Sequence, residues 1–123
     1  MAVATNPGLE EVKKIAKGRG VEFFFAQFVD MYGRPSAKLI PAANLEDLVE
    51  EGAGFAGFAA GEIGQMPSDP DIAAMPDLSS LTLVPWQQNL ARFACDIAVE
   101  GEPWPYCPRT ILRNAVARAA KLG

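Results

Sequence analysis

The sequence predicts an α+β fold in which a small mixed or antiparallel sheet of four to five strands, β-grasp-like in form, carries helices on one face. Strand-like and helical segments do not alternate regularly, which argues against a doubly wound parallel sheet. The segment 91–99 alternates apolar and polar residues with the period of two that is typical of a strand. The final segment, from Pro108, instead repeats apolar residues at helical spacing. A chain of 123 residues suffices for one domain with one core.

Two helices are predicted in the first half of the chain. Asn6 is expected to cap the first helix, which begins with a proline and extends over 7–17 until glycines interrupt it. The second helix begins at Asn44, where Asp47, three residues later, forms a partial capping box. Gly52 is expected to end this helix.

A β-hairpin is predicted between these two helices. The aromatic run 21–30 predicts its first strand, and 35–40 predicts the returning strand, which Pro41 ends. The residues 30–34 that join the strands are typical of a turn, with Gly33 supplying a positive φ angle.

The second half of the chain contains further strands and a last helix. Short strands are predicted at 72–75 and 81–84, and a longer one at 91–99 with its odd-numbered residues facing the core. A turn at 101–105 follows, and Pro108 then opens the final helix. The apolar residues of this helix are predicted to face the core: Ile111, Leu112, Ala115, Val116 and Ala119. Its arginines are predicted to face outward: Arg109, Arg113 and Arg118.

Charge and composition argue against several classes of function. A net charge of −4 without a long run of either sign argues against nucleic acid or an anionic membrane as a partner. No stretch approaches about 18 apolar residues and the N-terminus lacks a signal pattern, so a cytoplasmic protein is expected. Cys95 and Cys107 are then predicted to be free thiols. The absence of histidine removes the commonest general base and metal ligand, and no complete catalytic set is visible.

A glycine-rich stretch at 53–77 is the most informative feature of the chain. Loops of this length in a small domain are usually functional or disordered, and Phe55 and Phe58 argue against disorder. Residues 52–57 match the dinucleotide-binding pattern G-x-G-x-x-G, but a helix precedes them where that pattern requires a strand. A helix-ending glycine followed by a loop is therefore the favoured interpretation.

Three aspartates in this stretch admit two interpretations. Asp69, Asp71 and Asp77 together suggest a site for a hard cation, which prefers oxygen ligands. The adjacent Pro70 and Pro76 favour turns instead, with the carboxylates accepting local backbone hydrogen bonds.

Two further pairs of residues are also open to more than one role. Trp86 and Trp104 lie beside prolines, where each is either a plug of the core or an anchor at an interface. Arg109 and Arg113, four residues apart on a helix, could bind an anion, although a solvated helix face is favoured.

A set of spaced motifs runs in order through most of the chain: 25–34, 41–52, 55–57, 71–77, 83–86, 95–97 and 108–112. They include an aspartate–glycine turn, an aspartate followed by Pro-Asp, and a proline–arginine helix start. Together they resemble the N-terminal β-grasp domain of glutamine synthetases. The run Gly-Phe-Ala-Gly-Phe-Ala is similar to the subgroup of type III-like enzymes called GlnT and the γ-glutamylmethylamide synthetases. The resemblance implies an N-terminal extension at 1–20, the β-grasp domain at 21–107, and a helix at 108–123 leading toward an absent catalytic domain.

The resemblance implies a part of an ATP-dependent ligase, which joins ammonia or a primary amine to the γ-carboxylate of glutamate through γ-glutamyl phosphate. ATP and divalent cations, Mg²⁺ or Mn²⁺, are then expected on the catalytic domain, so this segment alone is expected to be inactive. The resemblance also implies that the enzyme assembles as a homo-oligomeric ring, usually a dodecamer. The N-terminal domain of one subunit supplies a loop to the active site of its neighbour.

The chain departs from the family at one position. Ala56 lies where ammonia-using relatives have an aspartate that binds ammonium, and Phe58 and Ala59 lie where they have serines. Loss of the carboxylate removes charge attraction and the aromatic ring adds apolar surface, so a primary amine such as methylamine is expected. The candidate residues of the substrate loop are Phe55, Ala56, Gly57, Phe58, Glu62, Asp69 and Asp71. The acidic members of this set are the candidates to replace the missing aspartate.

A non-catalytic interaction module with a β-grasp fold is the alternative. Such a module would pair with a partner through a sheet edge, and prolines at strand ends would protect that edge from other pairings. The relevant prolines are Pro35, Pro41 and Pro85. A reading frame that continues beyond Gly123 into a metal-binding strand of the Glu-x-Glu type would favour the ligase.

Overall fold

The computed structural model of the chain describes residues 7–59 and 65–123. The helices are α1 (Leu9–Arg19), α2 (Leu45–Glu51) and α3 (Pro108–Leu122). The strands are β1 (Phe23–Val29), β2 (Pro35–Pro41), β3 (Ala53–Phe55), β4 (Ile72–Pro76), β5 (Thr82–Leu83), β6 (Leu90–Val99) and β7 (Glu102–Pro103). The predicted α+β class is confirmed.

One mixed sheet organises the described residues, with its main strands in the order β2-β1-β6-β4-β3. β1 runs parallel to β6, whereas the pairs β1–β2, β4–β6 and β3–β4 are antiparallel. The two-residue strands β5 and β7 add to the flanks of β6. The long β6 is therefore the spine of the sheet, and β2 and β3 are the opposite ends of its strand order.

The core lies on one face of this sheet, where α1 and α2 cover it. Successive even-numbered residues of β1 and odd-numbered residues of β6 are buried there, as the period of two predicted for 91–99 requires. The rings of Phe24 and Phe93 stack at 5.1 Å between centroids. From the helices, α1 contributes Val12 and Ala16, and α2 contributes Leu45 and Leu48.

The start of α1 and the capping of α2 differ from the sequence prediction. α1 begins at Leu9, because Gly8 is extended and acts as the N-cap; the predicted cap Asn6 lies outside the described residues. Asn44 does occupy the N-cap of α2, but its side chain makes no capping bond. The predicted capping box is therefore wrong. The chain enters α2 directly from a 3-10 turn at Ala42–Asn44, which leaves the cap residue without extended backbone.

Two segments predicted as a loop and a turn contain short strands. β3 opens the glycine-rich stretch and pairs with β4, and β7 lies inside the predicted turn at 101–105. The β6–β7 hairpin closes through Glu100 and Gly101, whose φ angles are positive at 51° and 82°, respectively. Strands of two or three residues are too short for a period of two to be visible in the sequence.

The predicted core face of α3 is wrong. Ile111, Leu112 and Val116 are 44%, 66% and 60% exposed, and no residue of this helix is buried. Only the first residues of the helix, Pro108 to Thr110, are partly buried. The helical periodicity identified an apolar stripe correctly, but it could not indicate what the stripe contacts.

The two tryptophans and the two cysteines have distinct environments. Trp104 is buried and packs edge-on against Tyr106 at 5.5 Å, whereas Trp86 is 84% exposed, so the core role belongs to Trp104 alone. Both cysteines are free and buried. Burial raises the pKa of Cys95 to about 12, and Cys107 Sγ accepts a hydrogen bond from the N–H of Ile97 at 3.4 Å. Among the described residues, no helix is both long and apolar enough to cross a membrane.

The turn between β1 and β2 is organised by one buried carboxylate. The backbone N–H groups of Tyr32 and Arg34 each donate to Asp30 Oδ1 at 2.9 Å, and Arg34 Nε donates to Oδ2 at 3.1 Å. Gly33 has the predicted positive φ angle, +79°. The bond from the N–H of Arg34 is the main reason that the pKa of Asp30 lies below its ordinary value, against the opposing effect of burial.

We expect this turn to make the stability of the domain sensitive to acid. Because folding lowers the pKa of Asp30, its stabilisation is complete above the ordinary carboxyl pKa and is lost as pH falls through the lowered one. An Asp30→Asn variant should have a lower urea midpoint than the unmodified chain at about pH 7, and this difference in midpoint should be smaller at the lowest pH at which both chains still fold. Asp71→Asn, at an exposed carboxylate, is the control. A difference of equal size at both pH values would contradict the assignment.

Candidate functional site

The glycine-rich segment is held at both ends by the sheet. β3 and β4 form an antiparallel pair in which Phe55 lies opposite Ile72, so residues 56–71 form the connection between two paired positions. β4 pairs in turn with β6, the spine of the sheet. Ile72 is fully buried. The start and the end of this connection are therefore fixed to the core, although residues 60–64 lie outside the described part of the chain.

Phe55 is the best-anchored of the candidate loop residues. Its ring meets that of Phe28 edge-to-face, with centroids 4.9 Å apart and an interplanar angle of 84°. Lys38 Nζ lies 4.9 Å from the centroid of the Phe55 ring, and it also donates a hydrogen bond to the carbonyl of Gly54. Phe55 is consequently only half-exposed, and its backbone is fixed by the β3–β4 ladder.

The residues that follow Phe55 present apolar surface without a carboxylate. Ala56 is half-buried and Gly57 is buried, whereas Phe58 is 45% exposed. A Cβ atom on Gly57 would lie 3.3 Å from both Ile72 Cγ2 and Gln65 Nε2, so this glycine lets the chain pass close to β4. A methyl group and a partly exposed aromatic ring can contact an alkyl group by dispersion, but they cannot pair with a cation by charge.

The two acidic candidates that the structure describes have different surroundings. Asp69 closes a turn, since its Oδ2 accepts from the N–H of Met66 at 2.7 Å and its own N–H donates to the Met66 carbonyl at 3.0 Å. Asp71 is exposed at the end of the same connection. Glu62 lies outside the described residues. The turn interpretation therefore holds for Asp69, while a role for any of these carboxylates toward an amine stays a prediction.

Asp77 belongs to a different part of the molecule from Asp69 and Asp71. Its Oδ1 accepts from the N–H of Ser79 at 3.0 Å and from the Ser79 hydroxyl at 2.6 Å, which caps a 3-10 turn. Its Oδ2 accepts from Arg109 Nη2 at 2.9 Å. Burial raises the pKa of Asp77, but the bonds from Ser79 and Arg109 outweigh it, and the pKa lies below its ordinary value. Of the two interpretations of these aspartates, the local hydrogen bonds of Asp69 and Asp77 support the turns.

The described residues also offer no alternative metal site. In the ranges 7–59 and 65–123, no group of three or more cysteine or acidic side chains is placed to hold an ion. The divalent cations that the family resemblance implies do not fit any set of ligands in this part of the chain.

An ion-pair network at the N-terminal end of α3 was not predicted from the sequence. Arg113 Nη2 donates to Asp96 Oδ2 at 3.0 Å, and Arg109 Nε lies 3.7 Å from Asp96 Oδ1 in addition to its bond with Asp77. The prediction that these arginines face outward is wrong for Arg109, whose side chain is about two-thirds covered, and holds for Arg113, which stays exposed while it pairs with Asp96. The partners are 17 and 32 residues apart in the chain, so no local pattern could have identified them.

Comparison with known proteins identifies relatives of the chain by sequence, although no protein-family model matches it. The chain is 36% identical over 113 residues to a glutamine synthetase of Rhizobium leguminosarum bv. phaseoli, covering 92% of this chain and 26% of that protein. It is 40% identical over 114 residues to a glutamate–methylamine ligase of Methyloversatilis universalis, with the same 92% and 26% coverage.

A solved structure gives the same correspondence in three dimensions. The ligand-free form of GmaS superimposes on this chain with a TM-score of 0.85 at 42% identity, over 92% of this chain and 27% of GmaS. The chain thus spans about a quarter of the length of the relatives that it matches.

Proposed function

The chain belongs to the glutamine synthetase family, in which it corresponds to the N-terminal domain, and from this we propose that it is the loop-bearing domain of an ATP-dependent amide ligase. The reaction joins an amine to the γ-carboxylate of glutamate through γ-glutamyl phosphate. In this proposal the domain contributes the segment after β3 to an active site that a catalytic domain completes. Neighbouring subunits in a homo-oligomeric ring bring the two parts together.

The acceptor that we propose is a small primary amine such as methylamine. The observation that carries this choice is the surface of residues 55–58, which offers the Ala56 methyl group and the partly exposed Phe58 ring and contains no carboxylate. Burying one methyl group contributes about 0.8 kcal/mol, which favours methylamine over ammonia roughly fourfold. The absence of a carboxylate weakens the charge attraction for either protonated amine, so the contact with the methyl group distinguishes the two. The likeness to a glutamate–methylamine ligase supports the same choice.

The content of the described residues supports a division of roles between this domain and the catalytic domain. They lack a set of ligands for a divalent cation, so we place ATP and its Mg²⁺ or Mn²⁺ on the catalytic domain. Those groups supply phosphoryl transfer to glutamate. The residues of this domain bind and orient the amine and exclude water from one side of the pocket. We propose that residues 21–107 form the unit that does so, with α3 leading toward the catalytic domain.

Assay of the complete enzyme tests the proposal. Purified protein is incubated with glutamate, ATP and Mg²⁺ and with either ammonia or methylamine, and ADP and γ-glutamyl product are quantified for each amine. We expect ADP release that depends on glutamate, and a higher kcat/KM for methylamine than for ammonia. A preference for ammonia would refute the acceptor, and no amide product with either amine would refute the ligase.

A further inference from the structure

Lys38 joins the two strands that lie at opposite ends of the sheet order. It is an exposed residue of β2, where it lies opposite Ala26 of β1. Three strands separate β2 from β3 in the order β2-β1-β6-β4-β3. Lys38 Nζ nevertheless donates to the Gly54 carbonyl of β3 and lies 4.9 Å from the Phe55 ring centroid. The sheet therefore curls until its ends approach, and one side chain bridges the remaining gap.

The two groups that Lys38 contacts are those that stabilise an ammonium ion best outside a carboxylate. A carbonyl oxygen accepts a charge-assisted hydrogen bond, and the face of an aromatic ring attracts a cation through its quadrupole. The same ring is held on another side by the edge-to-face contact with Phe28. Phe55 is thus clamped between an aromatic residue of β1 and a cation of β2, and Gly54 is fixed through its backbone.

We propose that Lys38 is a positioning residue that sets the amine specificity of the segment 55–58. This inference rests on the function proposed above. We call the contacts of Lys38 with Gly54 and Phe55 the clamp. Because Gly54 and Phe55 immediately precede Ala56, any displacement of the clamp is transmitted to the surface that meets the amine. A misplacement of about 1 Å is enough to weaken a positioned interaction severely. Lys38 acts through these residues, and it does not contact glutamate or ATP in this proposal.

Kinetics of the complete enzyme separate this role from a general loss of structure. In Lys38→Met, which keeps the aliphatic stem and loses the charge, we expect the KM for methylamine to rise about tenfold, the loss typical of one charge-assisted hydrogen bond. The KM values for glutamate and ATP should not change. Lys38→Arg should restore the amine KM, because a guanidinium can also bind a carbonyl and stack on a ring. An unchanged amine KM in Lys38→Met, or equal rises in all three KM values, would overturn the inference.

A control variant and a second readout keep this test independent of the proposed reaction. Lys13→Met removes a lysine of α1 that pairs with exposed Glu10 and Glu46, and it should leave the amine KM unchanged. Amide hydrogen exchange of the complete enzyme reports on the clamp directly, and peptides over 53–59 should exchange faster in Lys38→Met than in Lys13→Met. Equal exchange in the two variants overturns the positioning role. If peptides over 53–59 exchange faster in Lys38→Met but the unmodified enzyme forms no amide, the proposed function is refuted while the positioning role of Lys38 is retained.

Discussion

Replacing Gly52 with alanine should lower the free energy of unfolding by about 3 kcal/mol, the upper range for a strained backbone position. Gly52 has a φ of 77° and a ψ of 178°, a combination that is essentially restricted to glycine. A Cβ atom there would lie 2.6 Å from Met75 Sδ and 3.0 Å from the Ala74 carbonyl oxygen. The methionine side chain can move away, but the carbonyl belongs to β4 and cannot move without disturbing the sheet.

Gly54 provides the matched control for this substitution. It lies two residues further along, in β3, and a Cβ atom there would have no neighbour within 4 Å. Gly54→Ala should change the free energy of unfolding by less than about 1 kcal/mol, toward higher stability, because alanine loses less backbone entropy on folding. Urea denaturation of the three chains measures both effects. Equal losses in Gly52→Ala and Gly54→Ala would show that the connection between α2 and β3 does not depend on the Gly52 conformation.

Introducing a carboxylate with Ala56→Asp should change the amine preference of the complete enzyme by about fourfold in favour of ammonia, the contribution of one buried methyl group. Ala56 is half-buried next to the anchored Phe55, so a carboxylate there is held in place and partly shielded from water. It attracts the ammonium and methylammonium ions alike by charge, so this attraction does not change the preference. It also removes the methyl group that we propose contacts the alkyl group of methylamine.

The ratio of kcat/KM for ammonia to that for methylamine is the quantity to measure. A ratio removes effects on enzyme concentration and on phosphoryl transfer, because both amines attack the same activated glutamate in the proposed reaction. Ala43→Asp introduces the same charge at an exposed alanine in the 3-10 turn before α2, and it should leave the ratio unchanged. A folded Ala56→Asp enzyme with the original ratio would exclude this segment from amine recognition.

Local signals in the sequence predicted most of the strands and turns. The alternation in 91–99 identified both β6 and its buried face, and Gly33 identified the β1–β2 turn, because both features depend on neighbouring residues only. Gly52 was predicted to end a helix, which it does. Its second role, a close approach to Ala74 and Met75, depends on a strand that lies more than twenty residues further along the chain.

Features that depend on distant partners were missed or misassigned. The apolar stripe of α3 has the same sequence period whether it faces a core or solvent, and in this chain Leu112 and Val116 are exposed. The bond between Arg109 and Asp77 and the clamp between Lys38 and Phe55 each join elements that the curled sheet brings together. Part of the candidate site, the segment that includes Glu62, lies outside the described residues.

The structure of the complete enzyme bound to glutamate, ADP and methylamine tests most directly whether this domain forms one wall of the amine pocket. We expect Ala56 or Phe58 to lie within about 4.5 Å of the methyl group, the distance that defines apolar contact. We also expect phosphate and metal ligands to come from the catalytic domain alone. A bound amine surrounded only by residues of the catalytic domain, with Ala56 and Phe58 remote from it, would contradict the proposed role of this loop.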